Sequence, residues 1–203
     1  MIPQGAEGCD VKPEVVLAFL QAALGLKWVP RTGWLLRGLA DVESVADHSW
    51  GVAMVVLALA PHVEEPLDRG RALTIALVHD LPERLLSDIP SPALAHLPPE
   101  AKRTAAEEAL RALLGGLPDG PRLRERWREF EEASTPEGRL VRDADRLEML
   151  LQAYLYETSR GGRLDDFWEG QAGRPFYFPA SQELYEALLR AREQVQAGSG
   201  RLR

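Results

Sequence analysis

The stretch ALVHDLPE, residues 76–83, decides how this sequence is interpreted. The apolar run ALTIALV leads directly into His79 and Asp80, and Glu83 follows three residues after the aspartate. A carboxylate buried without a partner is very costly in free energy, so a segment this apolar needs a compensating group near Asp80. The stretch therefore predicts a polar site at the end of a buried helix.

The composition is that of an ordinary globular protein. The chain has 203 residues, 45% hydrophobic and 27% charged, which is enough for one substantial core. A net charge of −7 without basic blocks argues against nucleic-acid polymers and anionic membranes as partners, but it leaves room for a small anionic ligand.

Localisation signals are few. Cys9 is the only cysteine, so no intramolecular disulfide can form, and a reducing, cytoplasmic compartment fits. The first residues lack a basic segment followed by an apolar one, so we expect no signal peptide. The longest apolar stretch, Val52 to Ala60, is too short to span a bilayer.

Helix signals recur along the chain, and no alternating strand pattern or repeat accompanies them. We predict an all-α fold, a single-domain multi-helix bundle over residues 13–198 that follows a flexible tail at 1–12. The first predicted helix begins at Pro13, a proline-rich loop covers 89–99, and a short turn surrounds 165–168. The other predicted helices cover about 44–60, 69–80, 100–114, 121–133, 136–159 and 181–196.

Three polar residues continue apolar lines of two predicted helices. His48 is spaced three and four residues from apolar neighbours on its helix. Asp80 continues the line of Leu73 and Leu77, and His79 continues a neighbouring apolar line. The sequence thus predicts that all three side chains point into the packed interior.

Two kinds of explanation fit these inward side chains. A histidine on an apolar face is usually a hydrogen-bonded core residue, and Asp80 could cap the helix that Pro82 begins. A divalent metal would account for all of them at once, since imidazole and carboxylate are its usual ligands. A further ligand could come from LVRDADRLEML, residues 140–150, where helical phase does not choose between Asp143 and Asp145.

The pattern resembles the HD-domain metal-dependent phosphohydrolases, and in particular their 5′-deoxynucleotidase branch. The segments that carry the resemblance occur in the order of that branch and span about residues 27 to 175. They are RTGWLLRG, ESVADHSW, ALVHDLPE, SDIPSP, VRDADRLEMLLQAYLYE and GRLDDFWEGQAG.

The resemblance implies one divalent metal ion held by His48, His79, Asp80 and Asp145. It selects the second aspartate of DAD, which helical phase leaves open. It does not distinguish manganese, cobalt, iron, zinc or nickel.

The resemblance also implies roles around the metal. Glu83 would act on the attacking water, and Asp88 would approach the substrate. Arg31, Trp34 and Arg37 lie in the segment that matches the phosphate and sugar contacts. The sequence departs from the pattern at positions 82 and 38, where a proline and a glycine stand.

The expected activity is that of a 5′-nucleotidase that hydrolyses deoxyribonucleoside 5′-monophosphates to deoxynucleoside and phosphate. The expected partner is a nucleotide monophosphate, and a homodimer is the base-rate expectation. One alternative is another HD phosphohydrolase that acts on nucleoside triphosphates or cyclic nucleotides. The other is a non-catalytic binding protein with a structural metal.

Overall fold

The computed structural model describes residues 12–199, and within this range no β-strand occurs beyond one isolated bridge between Pro30 and Ser44. The predicted tail at 1–12 lies, apart from its last residue, outside the described residues. The α-helices are α1 Pro13–Leu24, α2 Thr32–Leu35, α3 Val45–Leu59, α4 Arg69–Val78, α5 Glu83–Leu86, α6 Ser91–Leu94, α7 Pro99–Leu114, α8 Gly120–Glu132, α9 Pro136–Arg160, α10 Asp165–Gln171 and α11 Pro179–Ser199.

The all-α prediction is confirmed, and several short segments, α2 and α5 among them, are more helical than predicted. The proline-rich loop contains α6, and the predicted turn near residue 165 is the start of α10. Short helices of this kind carry little periodic signal, so the sequence pattern cannot separate them from turns. Within the described residues, no helix is both long and apolar enough to cross a membrane.

The start of α3 follows directly from its sequence. Ser44 precedes the helix in an extended conformation, and its hydroxyl oxygen accepts the backbone N–H of Asp47. The Asp47 carboxylate accepts the backbone N–H of Ser44 at 2.8 Å, which completes a capping box. This double cap fixes the register of α3, and His48 lies one residue beyond it.

The prediction that Asp80 continues an inward line of α4 is wrong. Leu73 is partly buried against the core, but Leu77 is 58% exposed, so this line does not stay inward as far as Asp80. The buried face of α4 is instead that of Ile75, which His79 continues as predicted. Because α4 ends at Val78, the turn before α5 carries Asp80 to its place.

The core lies where α3 and α4 pack against α9. Helix α9 is the central element, and its residues between Leu140 and Ala153 include many that are fully buried. The main cluster combines residues from these helices with Phe130 and Phe178; it includes Val52, Val56, Leu59, Ala72, Ile75, Leu140, Val141, Ala144 and Leu147. This packing places the ends of α3 and α4 beside the middle of α9.

Candidate metal centre

Two histidines meet at this junction, and one ring nitrogen of each has no hydrogen-bond partner. His48 of α3 and the His79 that follows α4 are buried, with ring centroids 5.4 Å apart. The Nδ1–H of His79 donates to the carbonyl oxygen of Ala76 at 2.8 Å. Both Nε2 atoms are buried without a hydrogen-bond partner of acceptable geometry. Buried polar atoms are rarely left in this state, so the site favours a ligand between the rings.

Two carboxylates face the free nitrogens. Asp145 Oδ1 lies 3.1 Å from His48 Nε2. Asp80 Oδ2 lies 3.6 Å from His48 Nε2 and 3.2 Å from His79 Nε2. The ligand atoms that His48, His79 and Asp145 offer all lie within 4.8 Å of one another. Two imidazoles and two carboxylates are a donor set that suits a divalent transition metal.

The structure separates the two aspartates of DAD. Asp143 is fully buried on another side of α9, where its carboxylate accepts the backbone N–H groups of Tyr177 and Phe178 at 2.9–3.0 Å. Asp145 faces His48 instead. Both faces of α9 are covered by protein, which is why helical phase alone left the choice open.

The ionisation of these groups follows from their proximity. Burial alone would raise the pKa of Asp80, but the neighbouring His79, His48 and Arg31 hold it well below its usual range. The pKa of Asp145 is also lowered, because contact with His48 outweighs burial. Burial and Arg31 oppose the charge on His48, yet Asp145 and Glu148 raise its pKa to about 10. A proton and a metal ion therefore compete for the same nitrogen.

Glu83 lies beside this cluster at the start of α5. Its Oε2 atom is buried without a hydrogen-bond partner. Burial, and then the charge of Asp80, raise the pKa of Glu83 to about 9. Without a cation in the site, such a carboxyl keeps its proton at neutral pH, whereas an ordinary surface glutamate is ionised.

Arg31 is held between two carboxylates on the same side of the site. Its Nη1 atom lies 3.6 Å from Asp80 Oδ2 and 3.8 Å from Asp88 Oδ1. These carboxylates raise the pKa of Arg31 above its ordinary value although burial opposes its charge. Asp88 also accepts the backbone N–H of Thr32 at 2.6 Å, so it fixes the segment that carries the arginine.

Trp34 and Arg37, the other two candidate substrate contacts of the RTGWLLRG segment, both contact α10. Trp34 is 1% exposed and stacks on Phe167 of α10 with ring centroids 4.2 Å apart. Its Nε1–H donates to Glu43 at 2.9 Å. Arg37 pairs with Asp166 and lies over the Phe167 ring, and it does not contribute to the wall of the cavity described next.

A cavity of about 390 Å³ opens onto the cluster. Asp80, Asp145, Glu83, Asp88 and Arg31 form one part of its wall. A further part is apolar or aromatic, and it includes Trp34, Phe130, Met149 and Phe167. A polar cluster beside an apolar wall is the usual form of a small-molecule site.

Two glutamates next to the cluster were not among the site residues predicted from the sequence. Glu148 Oε2 lies 2.5 Å from His48 Nδ1, and Glu43 accepts the indole N–H of Trp34. Glu148 is three residues after Asp145, hence on the same face of α9. That spacing was the available signal. Glu43 had none, since it precedes the helix cap in a loop.

Comparison with known proteins places the chain among characterised relatives. The HD domain family model matches residues 24–174. The 5′-deoxynucleotidase HDDC2 of Bos taurus is 38% identical over 188 residues, which cover 91% of this chain and 89% of that protein. The 5′-deoxynucleotidase hdd1 of Schizosaccharomyces pombe is 30% identical over 90% of this chain and 92% of its own.

Solved structures of other proteins have the same fold as this chain. A conserved hypothetical protein from Pyrococcus furiosus superposes with a TM-score of 0.71 at 36% identity, covering 86% of this chain and 99% of that one. A predicted metal-dependent phosphohydrolase from Magnetospirillum magnetotacticum shares the fold with a TM-score of 0.68 at 24% identity, over 97% and 98% of the two chains. The chain therefore belongs to the HD domain family, and within it to the 5′-deoxynucleotidase HDDC2 family.

Proposed function

We propose that the protein is a metal-dependent 5′-deoxynucleotidase, which hydrolyses deoxyribonucleoside 5′-monophosphates to deoxynucleoside and phosphate. The observation that carries the proposal is the pair of buried, unpartnered histidine nitrogens that face Asp80 and Asp145 at the wall of a ligand-sized cavity. The relatives named above act as 5′-deoxynucleotidases and match the chain over about 90% of its length.

The charge of the cavity supports a phosphate monoester as substrate. Its wall carries five cations and five carboxylates, so the formal charges cancel. They are Arg31, Lys102, Arg142, Arg146 and Arg174, and Asp80, Glu83, Asp88, Glu131 and Asp145. A divalent ion would make the cavity positive, which suits a phosphate monoester dianion.

Four side chains would hold the ion in this proposal: His48, His79, Asp80 and Asp145. The imidazoles approach through Nε2, and the carboxylates lie within 3.6 Å of those atoms. A bound divalent ion neutralises phosphoryl oxygens and lowers the pKa of water. Metal analysis of the purified protein would identify which of manganese, cobalt, iron, zinc or nickel occupies the site.

The remaining residues act on the substrate and on protons. After burial, the charge of Asp80 is the second cause of the raised pKa of Glu83, and a bound cation would offset that charge, so that Glu83 would accept a proton from the attacking water and return it to the leaving oxygen. Arg31 stays charged and is aimed into the cavity, where it binds the phosphate. Asp88 positions the Thr32 backbone and with it Arg31. Trp34 lies against the sugar as part of the apolar wall. Arg37, outside that wall, lies over the Phe167 ring.

A phosphate-release assay tests the proposal. Purified protein is offered dAMP, dTMP, dGMP and dCMP, the matching ribonucleotides, dATP and a cyclic nucleotide, each with several divalent metals and with a chelator. We expect orthophosphate from the deoxynucleoside monophosphates and none in chelator. Tripolyphosphate from dATP or opening of the cyclic nucleotide would instead favour the other HD phosphohydrolases. Bound metal without any turnover would favour a binding protein.

A homodimer and a cytoplasmic location complete the proposal. The outer face of α3 exposes Trp50, Met54 and Leu57, and from Trp50 to Leu59 the helix has no polar side chain. Helices of that composition are normally buried on every side. A second copy of the chain would cover this face. The cytoplasmic location rests on the single cysteine and on the nucleotide substrate.

A further inference from the structure

The two proposed metal-binding histidines are oriented by different means. The Nδ1–H of His79 donates to the Ala76 carbonyl of its own helical turn, a contact that the backbone supplies by itself. His48 has no such local acceptor. Its Nδ1 faces Glu148 of α9, 100 residues away in sequence, at 2.5 Å. The orientation of His48 thus depends on one specific side chain of another helix.

The contact determines which nitrogen of His48 can bind a cation. A carboxylate accepts hydrogen bonds, so Glu148 holds the proton on Nδ1 and leaves the lone pair on Nε2. Nε2 is the atom that faces Asp145 and Asp80. His48 and Glu148 are both buried, so water does not replace this contact.

Glu148 can reach His48 because residue 51 has no side chain. A Cβ atom placed on Gly51 would lie 2.6 Å from Glu148 Oε1 and 2.8 Å from its Cγ. Both distances are far below van der Waals contact, so any larger residue would displace the glutamate. Glycine within a helix costs roughly 0.5–1 kcal/mol relative to alanine. Here the glycine allows α3 and α9 to approach each other closely.

Glu43 lies on the far side of the same pair. Its carboxylate, His48 and Glu148 offer atoms within 4.8 Å of one another, which could suggest a second metal site. The 2.5 Å contact between Glu148 and His48 Nδ1 is that of a hydrogen bond, which leaves no room for an ion between them. Glu43 is also already engaged by the Trp34 indole. The group therefore supports His48 rather than forming a separate centre.

We infer that Glu148 is a positioning residue, which orients His48 through Nδ1 so that Nε2 binds the metal, and that Gly51 is the position that admits it. This inference rests on the metal site of the proposed function. Groups that orient a metal-binding histidine typically change metal affinity by 10–100-fold when removed.

The first test measures Zn²⁺ affinity of the full chain by competition with a chromogenic chelator, without substrate. We expect E148A to bind Zn²⁺ 10–100-fold more weakly than the wild type. E148Q should lose less, because its amide oxygen can still accept the Nδ1–H. The matched control is E137Q, another buried glutamate of α9, whose carboxylate accepts the backbone N–H of Asp68. Its affinity should be unchanged.

The second test leaves the carboxylate in place. G51A should weaken Zn²⁺ binding although alanine favours the helix, whereas G170A, which meets nothing within 4 Å in α10, should not. In the zinc-loaded protein, the Nδ1–H proton of His48 should give a downfield NMR signal that E148A and G51A lose. A purely structural role would change unfolding temperature without moving that signal.

The outcomes separate this inference from the proposed function. Wild-type Zn²⁺ affinity in both E148A and G51A would overturn the positioning role. If E148A does not fold, E148Q and G51A decide the matter. Weakened Zn²⁺ binding in these variants together with no phosphate release by the wild type would leave the positioning role standing and overturn the nucleotidase.

Discussion

At the scale of single residues, the metal ligands are the most direct test. Replacing His79 or Asp80 by alanine should remove bound metal and activity together, because each change deletes one of the four proposed ligands. The metal-free protein should also be less stable, since a ligand bound only to the folded state adds to its free energy of unfolding. Metal analysis of the purified variants checks this, with His62→Ala, an exposed histidine, as control. Full stoichiometric metal in both variants would contradict the ligand assignment.

Glu83 should separate chemistry from metal binding. Glu83→Gln keeps the size of the side chain but cannot take up a proton, so we expect bound metal to stay and turnover to fall by about 10²–10⁴-fold. Steady-state kinetics and metal analysis on one preparation give both values. An unchanged kcat would make Glu83 no more than a charge at the start of α5.

Glu43 should give the metal-free protein a pH-dependent stability. Burial and the neighbouring Glu148 raise the pKa of Glu43 from 4.5 to about 7. Between these values the folded chain retains a proton that the unfolded chain has released. The stabilisation is therefore complete below pH 4.5 and is lost as the pH rises through about 7.

The comparison of wild type with Glu43→Gln isolates this effect. Urea unfolding in chelator at pH 5 and pH 8 should show a larger loss of stability in the wild type. The difference should be on the order of 1–3 kcal/mol. Equal losses in the two proteins would show that Glu43 titrates normally.

Residue by residue, the sequence predicted the inward histidines but not what orients them. His48 and His79 could be identified because they interrupt apolar lines, and helical periodicity determines the side to which neighbouring side chains point. Asp80 was placed correctly for the wrong reason, since the turn after α4 and not the Leu77 line carries it inward. The spacing from Asp145 places Glu148 on the same face of α9, but the contact of Glu148 with His48 depends on how two distant helices pack, which the sequence does not show.

At the scale of elements, α2 and α10 each contribute an aromatic ring to the apolar wall beside the cluster. Trp34 of α2 stacks on Phe167 of α10 and is almost fully buried. An apolar wall of this kind rejects an added 2′-hydroxyl by about 10²-fold, mainly through crowding and desolvation. We therefore expect kcat/KM for dAMP to exceed that for AMP by about this factor.

A conservative change tests which residue carries this selectivity. Trp34→Ala would open a cavity and cost about 3–5 kcal/mol of stability, so Trp34→Phe is the better variant. We expect it to narrow the deoxy/ribo ratio while metal content stays unchanged. Trp168→Phe, a change in a buried tryptophan of α10 that Arg192 covers, is the control. If wild type discriminates and Trp34→Phe leaves the ratio unaltered, another residue carries the selectivity.

The helices themselves were well predicted, with the exception of the short ones. Caps and prolines mark the ends of α3, α8 and α9, and those signals act locally. The four-residue helices α2, α5 and α6 are too short to show a periodic pattern, and α5 packs against α7.

At the scale of the whole molecule, the apolar outer face of α3 predicts self-association. Trp50 is 66% exposed, and Met54 and Leu57 continue its stripe. Leu57→Glu should place a charge in the contact and shift the protein toward monomer. Sedimentation at several concentrations measures the shift.

Leu155→Glu is the matched control for this change, since Leu155 has similar exposure at another place on the surface. It should leave the association constant unaltered. A wild type that is monomeric at high micromolar concentration would contradict the dimer.

The close approach at Gly51 has a consequence for how such sequences can diverge. As long as a glutamate occupies position 148, any side chain at position 51 collides with it, so the two positions are not free to vary independently. Substitution at 51 becomes acceptable only after 148 has shortened. Across diverged homologues, an alanine or serine at position 51 should therefore accompany a residue smaller than glutamate at position 148.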